Sequence, residues 1–395
     1  MEGLMADSAV CSIGREEELQ WLALTLIPGL GTRMAGKLLD RFRTPQAAFR
    51  ASRSELEAAG VSGAVAQSVA SGCSFEDAFD QQRKMAERGA VAIVRSDPRY
   101  PALLREIFDP PILLFARGRL ELLQPFHFAV VGTRRPTPYG LAAAERLSAD
   151  LARAGLTIVS GMARGIDTAA HKGAFSAGGD TVAILGCGVD VIYPSENRKL
   201  AADLSAKGLL LSEFAMGSTA FPQNFPIRNR IISGMSAGVL VVEGAQYSGS
   251  AITAKLALDQ GREVFAIPGN ITSKASWGPN LLIKQGAKLV QDWNDVIVEL
   301  PAEIRRQLIE RGRTRLLGNA GASQDGGQAS HLEGALPEVG RKLLAVLQVD
   351  TAIHLDDLIQ ILEDSSASEL IAALFELEML GLVKQLPGKN FVKVW

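Results

Sequence analysis

Residues 128–140 have the sequence FAVVGTRRPTPYG, an apolar run that ends in glycine and continues into a turn containing arginine and proline. Further short apolar runs follow before residue 300, namely LTIVSG, TVAILGCG, LLLSEF, VLVVEG and EVFAIPG. Helix-length segments separate these runs, a pattern typical of βαβ units with a parallel sheet buried on both faces. The sequence therefore predicts an α/β fold with an extended Rossmann-like, mainly parallel, doubly wound sheet.

The flanking segments predict additional modules. Residues 1–78 contain short helical segments joined by glycine turns and predict a small all-helical domain of helix-hairpin-helix or SAM-like type. We expect the Rossmann-like domain at 79–300, with a strand at Val91–Val94 and a proline-rich connector before Phe126. A charged helix and a flexible linker are expected at 301–336, and a C-terminal winged-helix-like domain at 337–395.

Composition excludes several classes of protein. The 395 residues are 47% hydrophobic and carry a net charge of −2, so a nucleic-acid surface must be a local patch. The cysteines at 11, 73 and 187 are too scattered for a disulfide framework or a zinc site, and we expect neither a metal nor a cofactor. No secretory signal or membrane-length apolar stretch is present, which predicts a cytoplasmic protein.

Four glycine-containing turns follow predicted strands and precede predicted helices, in GTRRPTPYG, SGMARGIDTAAHKGA, LGCGVDVIYPSEN and VVEGAQYSGS. Ligands of open α/β sheets bind at this edge, where helix N-termini direct free N–H groups outward. Each turn is thus a candidate seat for a phosphate, although a plain strand–helix turn with solvated arginines remains open at the first. The candidate residues are Gly132, Thr133, Arg134, Arg135, Gly161, Arg164, Gly165, Ser248, Gly249, Ser250, Thr253 and Lys255.

The segment FPQNFPIRNR at 221–230 combines aromatic and cationic residues. Phe225 offers a stacking face for an unpaired base, and Arg228, Asn229 and Arg230 offer polar contacts to a nucleic-acid backbone. In the alternative interpretation the phenylalanines fill the core, and we expect this of at least one of Phe221 and Phe225.

Other residues that suggest catalysis have simpler explanations. Cys187 lies between glycines, with nothing nearby in sequence to lower its pKa, and is interpreted as a small buried residue. We expect His171 to pack in the core or to form a hydrogen bond. We expect Asp167 to cap the helix that carries His171. We therefore expect no catalytic residue.

The motifs VVGTRRPTPYG, SGMARGIDTAAHKGA, LGCGVDVIYPSEN, FPIRNRIISGMS, VVEGAQYSGSAITAKLALDQGREVFAIPGN and GPNLLIKQGA, in this order, closely resemble the DNA-processing protein A family (DprA, also called Smf). The resemblance covers roughly residues 80–300. It implies an extended Rossmann fold without established catalytic activity. It also implies that Gly132, Thr133 and Arg134 contact phosphates and that Phe225, Arg228 and Arg230 line the groove.

The same resemblance implies a function in natural transformation, or competence. Members of this family bind single-stranded DNA, load RecA onto it for homologous recombination, and form homodimers through the Rossmann-like domain. We accordingly expect the protein to protect an incoming strand, with single-stranded DNA, RecA, a second copy of itself and single-strand-binding protein as partners.

The flanking modules carry weaker signals. Gly29 and Gly31 form a hairpin turn, with Arg33 and Lys37 nearby, that predicts an auxiliary DNA contact; a small helical domain without DNA contact fits equally well. The C-terminal module resembles the winged helix of some family members. It has 5 basic and 9 acidic residues, which predicts a protein-contact or autoregulatory role rather than duplex binding.

Two classes of enzyme are built on related folds. A dinucleotide-dependent oxidoreductase requires G-x-G-x-x-G after the first strand and an acidic residue after the second, and GTRRPTPYG and Ser160-Gly161 meet neither requirement. A nucleotide-binding or nucleotide-hydrolysing enzyme on a related (LOG-type) fold remains the alternative, although YSGSAITAKLAL carries Lys255 and no glutamate.

Overall fold

A nine-stranded sheet forms the centre of the first part of the chain. Its strands are β1 (Val91–Val94), β2 (Leu113–Gly118), β3 (His127–Val131), β4 (Thr157–Ser160), β5 (Thr181–Ile184), β6 (Leu209–Ser212), β7 (Gly238–Val241), β8 (Glu263–Ala266) and β9 (Lys288–Leu289). They lie in the order β1-β2-β6-β5-β4-β3-β7-β8-β9. The six neighbouring pairs from β6 to β9 are parallel, whereas β2 is antiparallel to both β1 and β6. From β3 the chain builds the sheet in one direction through β4, β5 and β6, and then returns to place β7 on the other side of β3. The point at which the strand order changes direction therefore lies between β3 and β7.

The computed structural model describes residues 14–124, 126–246, 248–308, 338–348, 352–362, 366–379, 382–386 and 388–393. The chain divides into two units, Met1–Gly312 and Arg313–Trp395. In the first unit the helices are α1 (Arg15–Thr25), α2 (Thr32–Phe42), α3 (Pro45–Arg50), α4 (Arg53–Ala58), α5 (Gly63–Ser71), α6 (Phe75–Arg88), α7 (Ala102–Arg105), α8 (Pro138–Arg153), α9 (Ile166–Ser176), α10 (Arg198–Lys207), α11 (Asn224–Gly234), α12 (Gly249–Asp259), α13 (Trp277–Lys284) and α14 (Trp293–Ile297). Residues 302–308 are also helical.

Both faces of the sheet are buried, as its apolar strands require. Along β3, Phe128 and Val130 belong to the core that α8 and α9 cover. Ala129 and Val131 belong to the core on the other face, with residues of α11 and α12. The period-2 alternation of a strand thus distributes consecutive apolar residues between two cores, and the predicted α/β architecture is confirmed.

The proline-rich connector contains a strand that the sequence analysis missed. β2 pairs with β1 on one side and with β6 on the other, so it joins β1 to the parallel part of the sheet. Phe115 and Leu114 of this strand are fully buried on opposite faces. Prolines upstream of β2 obscured a run that is apolar enough for a central position.

The N-terminal helices share a core with the sheet. Trp21 and Leu38 lie in the same hydrophobic cluster as Phe115 of β2 and Ala183 of β5. The helical segment predicted over 1–78 is present from α1 onward, and the domain boundary near residue 78 stays a prediction.

The second unit contains α15 (Glu338–Val346), α16 (Leu355–Ile361) and α17 (Ala367–Met379) and a three-stranded antiparallel sheet of β10 (Ile353–His354), β12 (Asn390–Lys393) and β11 (Val383–Leu386). Leu343, Leu358, Leu374 and Phe391 form its core. This is the predicted winged-helix arrangement. The predicted linker, through residue 336, lies almost entirely outside the described residues.

No helix that the structure describes has the length and apolar character needed to cross a membrane.

Candidate functional site

A cleft of about 580 Å³ opens at the carboxyl edge of the parallel strands, beside the point where the chain reverses direction. Five segments line it: the turn after β3, the turn after β4, the turn after β5, α11 with the loop before it, and the start of α12. A volume of this size accommodates a ligand of nucleotide dimensions. This edge is where the sequence predicted a ligand site.

Arg228 lies at the floor of the cleft and is 4% exposed. Its Nη1 donates to the carbonyl oxygen of Ile184 at 2.6 Å, whereas its buried Nε has no hydrogen-bond partner. Burial lowers the pKa of Arg228; the Asp167 carboxylate opposes that shift and Arg134 adds to it. Within the part of the chain that the structure describes, no carboxylate forms an ion pair with Arg228, so its charge remains available to an anionic ligand.

Gly161 makes the position of Arg228 possible. A Cβ atom at residue 161 would overlap the Arg228 guanidinium, which packs directly against the glycine backbone. The glycine after β4 therefore accommodates a side chain of the protein itself.

Asp167 occupies a different position from the one predicted. It does not cap α9, whose N-cap is Gly165. Its Oδ2 instead accepts hydrogen bonds from the backbone N–H groups of Gly161 at 3.1 Å and Ala163 at 3.3 Å. Burial raises the pKa of Asp167, and the charge of Arg228 opposes that shift. The turn after β4 thus directs two of its amides at an internal carboxylate rather than at a ligand.

Glu243, which follows β7, fills the N-terminus of α8 in a similar way. Its carboxylate accepts the N–H of Thr137 at 2.8 Å and the hydroxyl of Thr137 at 2.6 Å. Gly140 leaves space for this carboxylate, since a Cβ there would overlap Glu243. The expectation that every glycine turn offers free amides to a phosphate therefore fails at two turns, because buried carboxylates already satisfy them.

The start of α12 is the more open helix terminus. Ser248 caps it by accepting the N–H of Ala251 at 3.3 Å, and its hydroxyl lies 2.8 Å from that of Ser250. Gly249 is exposed at the cleft. Hydroxyls and small residues leave this side of the cleft polar and sterically open.

The aromatic residues of the cleft surround Arg134. The guanidinium carbon of Arg134 lies 5.0 Å from the centre of the half-buried Phe225 ring, and that of Arg228 lies 5.8 Å from it. The Tyr193 ring is 5.5 Å from Phe225 and 39% exposed. Tyr193 was not identified from the sequence, although an aromatic residue in the turn after β5 was the available signal. Its ring is more open to a base than that of Phe225.

Most of the predicted site residues meet at this edge. The cleft is lined by Gly132, Thr133, Arg134, Arg135, Phe225, Arg228, Asn229, Ser248, Gly249, Ser250 and Thr253. Gly161 and Arg164 border a smaller adjoining cavity, and exposed Arg164 pairs with Glu196 at 3.2 Å.

Three further predicted residues line neither the cleft nor the adjoining cavity. Gly165 has φ +78° and packs against the Thr133 carbonyl, so it shapes the turn rather than the surface. Lys255 is exposed outside the cleft lining, further along α12. Arg230 is buried in ion pairs with Asp109 and Glu213, away from the cleft.

At the N-terminal turn, Gly29, Gly31 and Lys37 are exposed. Arg33 is exposed as well, but its guanidinium carbon lies 4.5 Å from the centre of the Phe108 ring. An auxiliary DNA contact at this turn stays a prediction.

Side chains that could take part in catalysis are unfavourably placed. Burial raises the pKa of Cys187 to about 11, so its thiol stays protonated at neutral pH. Burial lowers the pKa of His171 to about 3, and its Nδ1 lies 2.7 Å from the Thr181 hydroxyl. Among the described residues, no group of histidine, cysteine and carboxylate side chains is arranged to hold a metal ion.

Comparison with known proteins agrees with the resemblance in sequence. The model of the DNA recombination-mediator protein A family matches residues 91–301, and that of the DprA winged helix domain matches 328–389. Protein Smf of Synechocystis sp. is 32% identical over 401 residues, covering 96% of this chain and 99% of its own. DNA processing protein DprA of Bacillus subtilis is 44% identical over 216 residues, which are 54% of this chain and 73% of the relative. The X-ray structure of DNA processing protein A from Streptococcus pneumoniae superposes with a TM-score of 0.62 at 35% identity, covering 73% of this chain and 99% of that one.

The packing of Gly161 against Arg228 can be tested by substitution. Gly161→Ala should lower the free energy of unfolding by about 1–3 kcal/mol, because the added methyl must displace a buried guanidinium. Gly249→Ala is the matched control, since its Cβ would meet no atom within 4 Å. Urea unfolding followed by tryptophan fluorescence measures both variants. Equal stability of the two variants would contradict the proposed packing.

Proposed function

Because the chain belongs to the DNA recombination-mediator protein A family, we propose that its cleft binds single-stranded DNA during DNA processing. The observation that carries this proposal is the buried Arg228 guanidinium, which has no ion-pair partner among the described residues and lies beside the exposed Arg134 and Arg135. A positive charge that is only partly compensated, at the base of an open cleft, favours binding of an anion. Backbone phosphates of a polynucleotide meet this requirement.

Single strands fit the cleft better than a duplex does. Unpaired bases can stack on aromatic rings, at roughly 1–3 kcal/mol per base, regardless of sequence. Tyr193 offers an exposed ring, whereas Arg134 covers a face of Phe225. We therefore assign base stacking to Tyr193 first, and to Phe225 only if Arg134 moves to follow a phosphate.

Binding of an oligo-dT tests the proposal, with Arg134→Ala as the diagnostic variant. Loss of this exposed cation should weaken binding and reduce the slope of log affinity against log salt by about one unit. Arg146→Ala is the matched control, because Arg146 is an exposed α8 arginine outside the cleft lining and should change neither quantity. Fluorescence anisotropy over a series of salt concentrations gives both values.

Two outcomes would count against this assignment. If the wild-type protein fails to retain oligo-dT at low ionic strength, single-stranded DNA is not the ligand. If folded Arg134→Ala and Arg146→Ala behave alike, the strand does not cross this cleft.

A nucleotide-hydrolysing enzyme is the competing function. The protonated Cys187 thiol and the buried, neutral His171 ring argue for binding rather than catalysis. A thermal-shift screen with AMP, NAD and short oligonucleotides separates the two functions. Stabilisation by a mononucleotide alone would favour the enzyme.

We propose further that the protein protects incoming strand and loads RecA onto it in natural transformation, as a cytoplasmic homodimer. Family membership and a cleft that accommodates a ligand of nucleotide dimensions support this assignment. RecA filaments should assemble faster on strand coated with single-strand-binding protein when this protein is added. Filament growth followed by fluorescence tests this expectation, and an unchanged rate would contradict the loading function while leaving strand binding intact.

A further inference from the structure

Helix α11 carries residues with two different tasks on two of its faces. Phe225, Arg228, Asn229 and Ile232 line the cleft. Arg230 follows Arg228 by two residues, about 200° around a helix of 3.6 residues per turn, and therefore points to the other side. The cleft-lining residues and Arg230 are thus fixed to the same rigid element but contact different partners.

Arg230 joins α11 to two carboxylates. Its Nε donates to Asp109 at 3.0 Å and its Nη2 donates to Glu213 at 2.7 Å, with the arginine side chain 8% exposed. Burial lowers the pKa of Arg230, but the two carboxylates more than offset that shift and raise it above its ordinary value. A planar guanidinium held by two separate carboxylates fixes both the position and the rotation of the helix.

Glu213 extends this connection to the N-terminal helices. The Oε1 atom that accepts from Arg230 also accepts the hydroxyl of Thr32, the first residue of α2, at 2.7 Å. Nearby in the same loop after β6, the backbone N–H of Met216 donates to Oε1 of Gln81 in α6 at 2.8 Å. The loop after β6 therefore connects α2, α6 and α11.

Asp109 is connected to the same turn of α2. The residue before it, Phe108, lies under the guanidinium of Arg33 with 4.5 Å between the guanidinium carbon and the ring centre. Thr32 and Arg33 are consecutive in the first turn of α2, so both carboxylate partners of Arg230 are linked to one point of the N-terminal helices.

We propose that Arg230 is a positioning residue that holds α11, and with it Phe225 and Arg228, in the geometry that grips the strand, and that Glu213 couples this helix to the start of α2. This inference rests on the proposed function of the cleft. Arg230 itself makes no contact with the strand.

The salt dependence of binding distinguishes positioning from direct contact. A residue that touches a phosphate changes the salt slope when it is removed, whereas a residue that only orients others weakens binding at every salt concentration alike. Arg230→Met should raise the Kd for oligo-dT by about tenfold with an unchanged slope. Arg230→Lys keeps the charge and one ion pair and should recover part of the affinity.

Arg119 provides a control for loss of an arginine that bridges two carboxylates, at a more exposed position than Arg230. It also bridges two carboxylates, Glu121 at 2.8 Å and Asp180 at 2.7 Å, but at the opposite edge of the sheet, where β2 ends and β5 begins. Arg119→Met should lower the melting temperature without changing the Kd of the folded protein. Thr32→Val, which removes only the hydroxyl donor to Glu213, should raise the Kd by a smaller factor and keeps the test valid if Arg230→Met does not fold.

The possible results separate this inference from the function on which it rests. Failure of the wild-type protein to bind oligo-dT would overturn the proposed function. If the wild-type protein binds and Arg230→Met binds with unchanged affinity, the positioning role is overturned. Where Arg230→Met does not fold, unchanged affinity in Thr32→Val has the same consequence. A reduced salt slope in Arg230→Met would show direct contact and would overturn it as well.

Discussion

The arrangement of the cleft depends on one buried charge, the guanidinium of Arg228. Moving a cation out of water is costly unless other groups compensate it. The Ile184 carbonyl accepts one hydrogen bond, and Asp167 contributes an opposite charge without forming a close ion pair. Gly161 leaves space for the guanidinium, whose central carbon lies 5.8 Å from the centre of the Phe225 ring. The fold thus holds a buried cation that is only partly compensated.

The positive charge at this edge comes from side chains more than from backbone amides. In many α/β proteins the helix N-termini bind phosphate directly. Here Asp167 and Glu243 already accept amide N–H groups at two of these turns, and they keep the turns rigid. Arginine side chains supply the positive charge instead, and such contacts carry no information about base sequence. A cleft of this kind suits a ligand with repeated phosphates and variable bases.

The sequence predicted the architecture well because each parallel strand is a short, fully apolar run, and such runs have few other uses in a chain of this length. The sequence also predicted that Gly132, Arg134, Phe225 and Ser248 lie at one edge, because the carboxyl ends of strands in a parallel sheet share an edge. Arg230 and Lys255 were misplaced because sequence proximity does not fix the direction of a side chain around a helix, nor reveal distant partners such as Glu213. The predicted roles of the site residues remain to be tested by binding.

The most direct test of the central claim is the pair of effects produced by Arg228→Met, measured as the free energy of unfolding and the affinity for oligo-dT. Met has a similar length but leaves the buried Asp167 without the nearby charge of Arg228. Stability should therefore fall, by less than the about 3–5 kcal/mol typical of breaking a close buried ion pair, while binding is largely lost. A destabilised variant that still binds oligo-dT as tightly as the wild-type protein would contradict the account, because Arg228 would then serve the fold and not the ligand.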